Sequence, residues 1–125
     1  MNSEYQNVVA FTNDIYWGVE EAKIPLLDRR FLRFDANRDT ISVWNRAFFP
    51  LEDHLDRFER NIWRLRFECP YSRDEQRAIL TGYVRRTGFR NAYVQMLMTR
   101  RRPPIAGRDI RQCANKFHVF CLSCM

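Results

Sequence analysis

Leu51, Leu55, Phe58, Ile62 and Leu65 recur at steps of four, three, four and three. That spacing gathers every apolar side chain onto one stripe of an α-helix. A helix of this kind has one dry side and must be laid on another layer of structure. Pro50 precedes it, where a missing N–H is tolerated, and Glu52 and Asp53 sit near the positive end of the helix dipole. Cys69-Pro70 is the expected stop. A second helix opens at Ser72-Arg73-Asp74-Glu75, a capping box in which serine and glutamate satisfy each other's orphan N–H groups. It runs through Ile79, Leu80, Tyr83 and Val84 to Gly88, a C-cap glycine.

The layer beneath these helices is expected to be a sheet. Val8 to Phe11 and Ile15 to Trp17 flank a Thr-Asn-Asp turn, and Thr40 to Trp44 and Ala47 to Phe49 flank Asn45-Arg46. Both read as hairpins. Arg46 stands where a two-residue loop prefers glycine, because φ there is positive. Ala22 to Leu27 reads as a further extended piece, since Pro25 forbids a helix interior. Asn91 to Thr99 (NAYVQMLMT) is apolar on both faces, as in the middle of a covered sheet. Short strands followed by two helices and a central strand predict an α+β domain of two layers, an antiparallel-rich sheet with two helices packed on one face.

Composition narrows the function classes. No apolar run approaches the ~20 residues that span a bilayer. The first 20 residues hold Glu4, Asp14 and Glu20 and no Lys or Arg, the wrong chemistry for a presequence, so a cytoplasmic protein is expected. The net charge of +6 is almost all arginine, with Lys23 and Lys116 the two lysines. Most arginines alternate with acids, as in DHLDRFERN; only Arg100, Arg101 and Arg102 form a run. A nucleic-acid partner is therefore the weaker reading, with no recognised motif behind it. Cys69, Cys113, Cys121 and Cys124 are expected to be unpaired. His118, Cys121 and Cys124 supply three potential zinc ligands without a local fourth, so no metal site is expected.

The order of the pieces carries more information than any one of them. EAKIPLLDRRFLRFD, then a hairpin, then FPLEDHLDRFERN, then two helical stretches, then AYVQMLMTRRR resembles the small N-terminal domain of the class IV, fold type IV, pyridoxal-phosphate aminotransferases. These include branched-chain and D-amino-acid aminotransferases, and the sequence looks closest to the fungal (R)-selective amine transaminase group. The resemblance runs from about Ala22 to about Gln112 and is densest in IPLLD-x-x-F, His-Leu-Asp-Arg and AYVxxxxTR. It implies that residues 1–113 form the small domain and that 114–125 are a short tail departing from the family. It also implies that Arg57 binds the phosphate of pyridoxal phosphate, where a guanidinium fork suits a dianion. Spacing alone leaves a second possibility open: Arg57 lies four residues from Asp53 and three from Arg60, so it could be a solvent-facing ion pair.

On the substrate side, the resemblance points to Arg33, Arg38, Tyr93 and Gln95. Arg33 and Arg38 stand where the family offers His or Tyr, and Gln95 replaces a carboxylate. Two cations there would repel a protonated amine and suit an acidic substrate. Transamination also needs a lysine amine to hold the cofactor and carry protons. In the family that lysine belongs to a second, larger domain, which is expected to be missing from this chain. Lys23 and Lys116 occupy positions that resemble non-catalytic ones. The implied protein is a truncated aminotransferase unable to transaminate alone, of a group often found in secondary metabolism. The alternative is a non-catalytic assembly module, a homodimer or a hetero-assembly with a full-length class IV enzyme, using a sheet face left bare.

Overall fold

The computed structural model describes residues 9–29, 33, 35–101, 111 and 113–124, with 121–124 described by backbone alone. Strands β1 (Val9–Thr12), β2 (Ile15–Gly18), β3 (Ala36–Trp44), β4 (Ala47–Phe49), β5 (Ala92–Arg100) and β6 (Asn115–Cys124) form one sheet, order β2-β1-β6-β5-β3-β4. Every neighbouring pair is antiparallel. Helices α1 (Leu51–Arg64) and α2 (Arg73–Thr87) pack on one face, α1 along β3 and α2 over β1. This is the two-layer α+β arrangement expected from the sequence. Among the described residues, no helix is long and apolar enough to cross a membrane.

Alternation decides which strand residues meet the helices. Phe11, Ile41, Val43, Val94, Met96, Met98, Phe117 and Val119 join Leu55, Phe58, Ile62, Leu80, Tyr83 and Val84 in one buried cluster. Phe58 is fully buried and sits edge-on to Phe117 at 6.0 Å, while Tyr71 and Phe11 continue the aromatic contacts toward β2. Each such pair adds about 0.5–1.5 kcal/mol beyond the area it buries.

The caps follow local chemistry. Ser72 and Glu75 form the reciprocal capping box, and Gly88 closes α2 at φ 69°. Both hairpin tips use paired positive φ values, Asn13 and Asp14 at 50° and 70°, Asn45 and Arg46 at 49° and 66°. Arg46 therefore carries the strain its side chain implies. The tip is held against the start of β5, because Arg46 N–H donates to the Arg90 carbonyl at 2.8 Å and Asn45 N–H to Asn91 Oδ1 at 3.0 Å.

Two expectations are corrected. First, α1 stops at Arg64, well before Cys69-Pro70. Arg66 adopts φ 61° and Phe67 N–H reaches back to the Ile62 carbonyl at 2.9 Å, a helix-ending turn made without glycine. Leu65 is left 48% exposed while Phe67 turns into the core. Second, Ala22–Leu27 pairs with no strand among the described residues. It leaves β2 by a tight turn in which Glu21 and Ala22 N–H groups donate to the Gly18 carbonyl. The segment 114–125, which the resemblance implies to be a tail, contains β6, which lies between β1 and β5 in the sheet.

Candidate functional site

Asp39 is an acid on the inward side of an otherwise apolar strand, beside Ile41 and Val43. Its side chain is 3% exposed, so its carboxylate must be satisfied locally. Arg57, one turn along α1 from His54, supplies the partner. Arg57 Nε donates to Oδ2 and Nη2 to Oδ1, each at 2.7 Å. His54 Nδ1 donates to Oδ1 at 2.8 Å. Nη2 lies 3.0 Å from the same ring nitrogen; since guanidinium cannot accept, the two donors converge on one oxygen. Burial pushes the Asp39 carboxyl up, but the hydrogen bonds and charges of Arg57 and His54 outweigh it and hold the group below the usual carboxylate range. Asp39 in turn raises Arg57.

The Arg57 side chain is 52% exposed although its partner is buried. β4 pairs with β3 only over Ser42–Trp44, so among the described residues β3 is the outer edge of the sheet at Asp39. Arg57 thus stands at a rim, with Nε and part of Nη2 held by Asp39 and Nη1 directed away from that bond. Neither sequence alternative describes this arrangement in full. Arg57 is in an ion pair, but its partner is Asp39, 18 residues upstream, and neither Asp53 nor Arg60. Asp39 and His54 were the missed residues. The signal for Asp39 was an acid at an inward position of an alternating strand; the signal for His54 was its place three residues before Arg57.

The substrate-side candidates fall elsewhere. Ser42 lies opposite Tyr93, Thr40 opposite Gln95 and Arg38 opposite Leu97. Arg38, Tyr93 and Gln95 therefore share the helix-free face, with Arg38 exposed, Tyr93 47% exposed and Gln95 buried. Arg33 is exposed in the segment before β3. The fold brings three of the four onto one face and puts Arg57 at the rim beside the helical layer. Trp44 and Phe49 share the helix-free face with Tyr93 and are 70% and 73% exposed.

Other arginines are engaged in structure. Arg73 bridges Glu52, Asp56 and Glu59, and Arg77 bridges Glu52 and Asp74, clamping α2 to α1. Arg100 is buried over the Phe67 ring at 3.9 Å and donates to Asp35 and the Leu65 carbonyl, so it adds nothing to a basic run. Lys116 lies 3.7 Å from Asp14. His118 is buried, with Nδ1 2.7 Å from Thr12 Oγ1 and Nε2 2.8 Å from Thr99 Oγ1. The side chains of Cys121 and Cys124 lie outside the described residues.

No protein-family profile matches the sequence. The chain is 25% identical over 113 residues to a putative branched-chain-amino-acid aminotransferase of Methanocaldococcus jannaschii, covering 90% of this chain and 38% of that protein. It is 27% identical over 81 residues to a D-alanine aminotransferase of Listeria monocytogenes, covering 65% of this chain and 28% of that one. The branched-chain amino acid aminotransferase of T.th., solved with pyridoxamine 5′-phosphate, matches with a TM-score of 0.82 at 22% identity, over 93% of this chain and 40% of its own. The fold is that of the N-terminal part of class IV aminotransferases. This aminotransferase-like domain spans about two-fifths of the length of such relatives.

Proposed function

We propose that this aminotransferase-like domain supplies the phosphate-holding arginine of a pyridoxal-phosphate site and does not transaminate by itself. The observation that carries the reading is the Asp39–Arg57–His54 cluster. A buried carboxylate fixes the guanidinium in one orientation at the sheet rim and leaves one of its edges open, which suits a phosphate oxygen. Pyridoxal phosphate, when bound, supplies the electron sink for amino-group transfer. The part proposed for this chain is to hold and orient the phosphate at Arg57 and to place Arg33, Arg38, Tyr93 and Gln95 toward an amino-acid or amine substrate, in a cytoplasmic setting. Membership of the (R)-selective amine transaminase group is the finer form of the same proposal, supported by the IPLLD and His-Leu-Asp-Arg motifs.

The test adds pyridoxal phosphate, reduces with borohydride, weighs the protein and assays amine–ketoacid exchange. The expected result is no stable adduct and no exchange. An adduct on Lys23 or Lys116 together with exchange refutes the inactivity.

A second reading rests on Trp44, Phe49 and Tyr93, exposed together on the helix-free face. Such a patch fits a non-catalytic module that docks on a full-length class IV aminotransferase or on a second copy of itself. Co-purification with such an enzyme, weakened by Trp44→Ser, supports that reading; a monomer on sizing columns that captures no such enzyme counts against it.

A further inference from the structure

Behind the first hairpin, β1 and β6 meet the segment that follows β2 around a cavity of about 260 Å³. Ala10 lies opposite Phe120, and their alternation with the core residues Phe11 and Val119 sets the cavity on the helix-free side of the sheet. Arg57 is on the other side. Ala10, Val19, Ile24 and Phe120 give it apolar walls, and Thr12, Lys23 and His118 are its polar groups. Among the described residues no carboxylate lines it, and Lys23 is its one permanent charge.

We propose that this cavity binds a small apolar carboxylate, with its hydrocarbon chain against the walls and its carboxyl group between the Lys23 ammonium and the Thr12 hydroxyl. Size favours a small ligand, because drug-sized ligand pockets begin at about 300 Å³. Charge favours an anion: a lysine ammonium is a mobile point charge that can close over a carboxylate at the mouth. The third feature is the buried Thr12–His118–Thr99 chain, with bonds of 2.7 and 2.8 Å. A threonine hydroxyl has one proton and two lone pairs. If Thr12 directs its proton to a carboxylate, its oxygen must accept from His118 Nδ1–H, and Nε2 then accepts from Thr99. Binding of an acceptor thus selects the Nδ1–H tautomer of His118.

Hexanoate is the probe, with hexanamide as its neutral counterpart. Calorimetry on the whole chain should show saturable binding of hexanoate and at least about tenfold weaker binding of the amide, which loses the ionic contact. Lys23→Gln, at an exposed position, should weaken hexanoate about fivefold. Ala10→Phe, or Ala22→Phe at the rim should the first variant fail to fold, fills the cavity and should abolish binding. Nitrogen-15 histidine spectra should move toward the Nδ1–H tautomer on titration. Absence of saturable binding, equal affinity for acid and amide, unchanged binding in Lys23→Gln, or hexanoate retained by a folded cavity-filling variant overturns the proposal.

Discussion

Replacing Arg57 with alanine separates what this residue does for the fold from what its exposure suggests. An arginine side chain 52% exposed would ordinarily be worth little. Arg57, however, makes two bonds of 2.7 Å to a carboxylate that is 3% exposed. Hydrogen bonds to charged groups contribute about 1.5–3 kcal/mol, and solvent access to the guanidinium cuts this to about 1 kcal/mol. The larger cost falls on Asp39, which stays buried with His54 as its remaining side-chain donor in the cluster. Leaving a buried polar group short of partners costs about 1–3 kcal/mol. Arg57→Ala is therefore expected to destabilise the domain by about 2–3 kcal/mol at pH 7, a fall of about 1 M or more in the urea midpoint.

The pH dependence tests the cause. Burial pushes Asp39 up, yet the bonds and charges of Arg57 and His54 bring its folded value below the unfolded one. Its contribution is thus complete above the unfolded value, about 3.9, and is lost as pH falls through the lowered folded value. In Arg57→Ala the leading opposition to burial is gone, the folded value rises, and acid costs the variant less. The stability gap between wild type and variant should narrow as pH falls from 7 toward 3. Urea melts across that range provide the measurement, and the Asp39→Asn, Arg57→Ala cycle should show coupling above about 1 kcal/mol. A gap that stays constant with pH, or additivity within about 0.5 kcal/mol, would refute the reasoning.

Glu52 is held down at about 2 by hydrogen bonds from Arg77 and Arg73. Because the folded value is depressed, its contribution is present above the ordinary carboxylate range and lost as pH falls toward 2, so Glu52→Gln should flatten acid unfolding between about pH 4.5 and 2. Arg46 sits at φ 66°, and Arg46→Gly should stabilise the domain by about 1 kcal/mol in urea melts. A Cβ at Gly82 would lie 2.5 Å from the Tyr16 hydroxyl, which donates to the Ile79 carbonyl at 2.7 Å and whose ring carries Arg86 at 3.8 Å. Gly82→Ala should therefore lose stability, by about 1 kcal/mol in the same melts, despite alanine's better helix propensity.

What was legible in the sequence was local chemistry. Ser72 and Glu75 cap a helix wherever they stand three apart before an apolar run, and Gly88 ends it for reasons contained in its own backbone. The end of α1 was not legible because Arg66 does there what glycine usually does, leaving Pro70 as the first visible stop. The place of β6 in the sheet was not legible, for a different reason. Phe117 and Val119 alternate with Lys116 and His118, a strand pattern, but its place between β1 and β5 comes from pairing across long stretches of chain. Carrying the Thr40–Trp44 alternation back one residue would place Asp39 inward; that its partner would be Arg57 required the packing of α1 on β3. Arg38, Tyr93 and Gln95 share a face by simple alternation, whereas the group that face meets is not written in these residues.

The Asp39–Arg57 pair has a consequence for the proposed phosphate role that motif matching alone does not reach. The pair is formally neutral, so its long-range pull on a phosphate dianion is much weaker than that of a free arginine. Its advantage is orientation. A guanidinium already held by two short bonds loses little further freedom when a third acceptor arrives, which removes part of the ordering cost of binding. Affinity must then come from donors beyond Arg57, and relatives of this fold are more than twice as long as this chain. On this reasoning the domain contributes geometry and its complement contributes charge. A measurable phosphate affinity is expected of the assembled site, and a weak one of this domain alone.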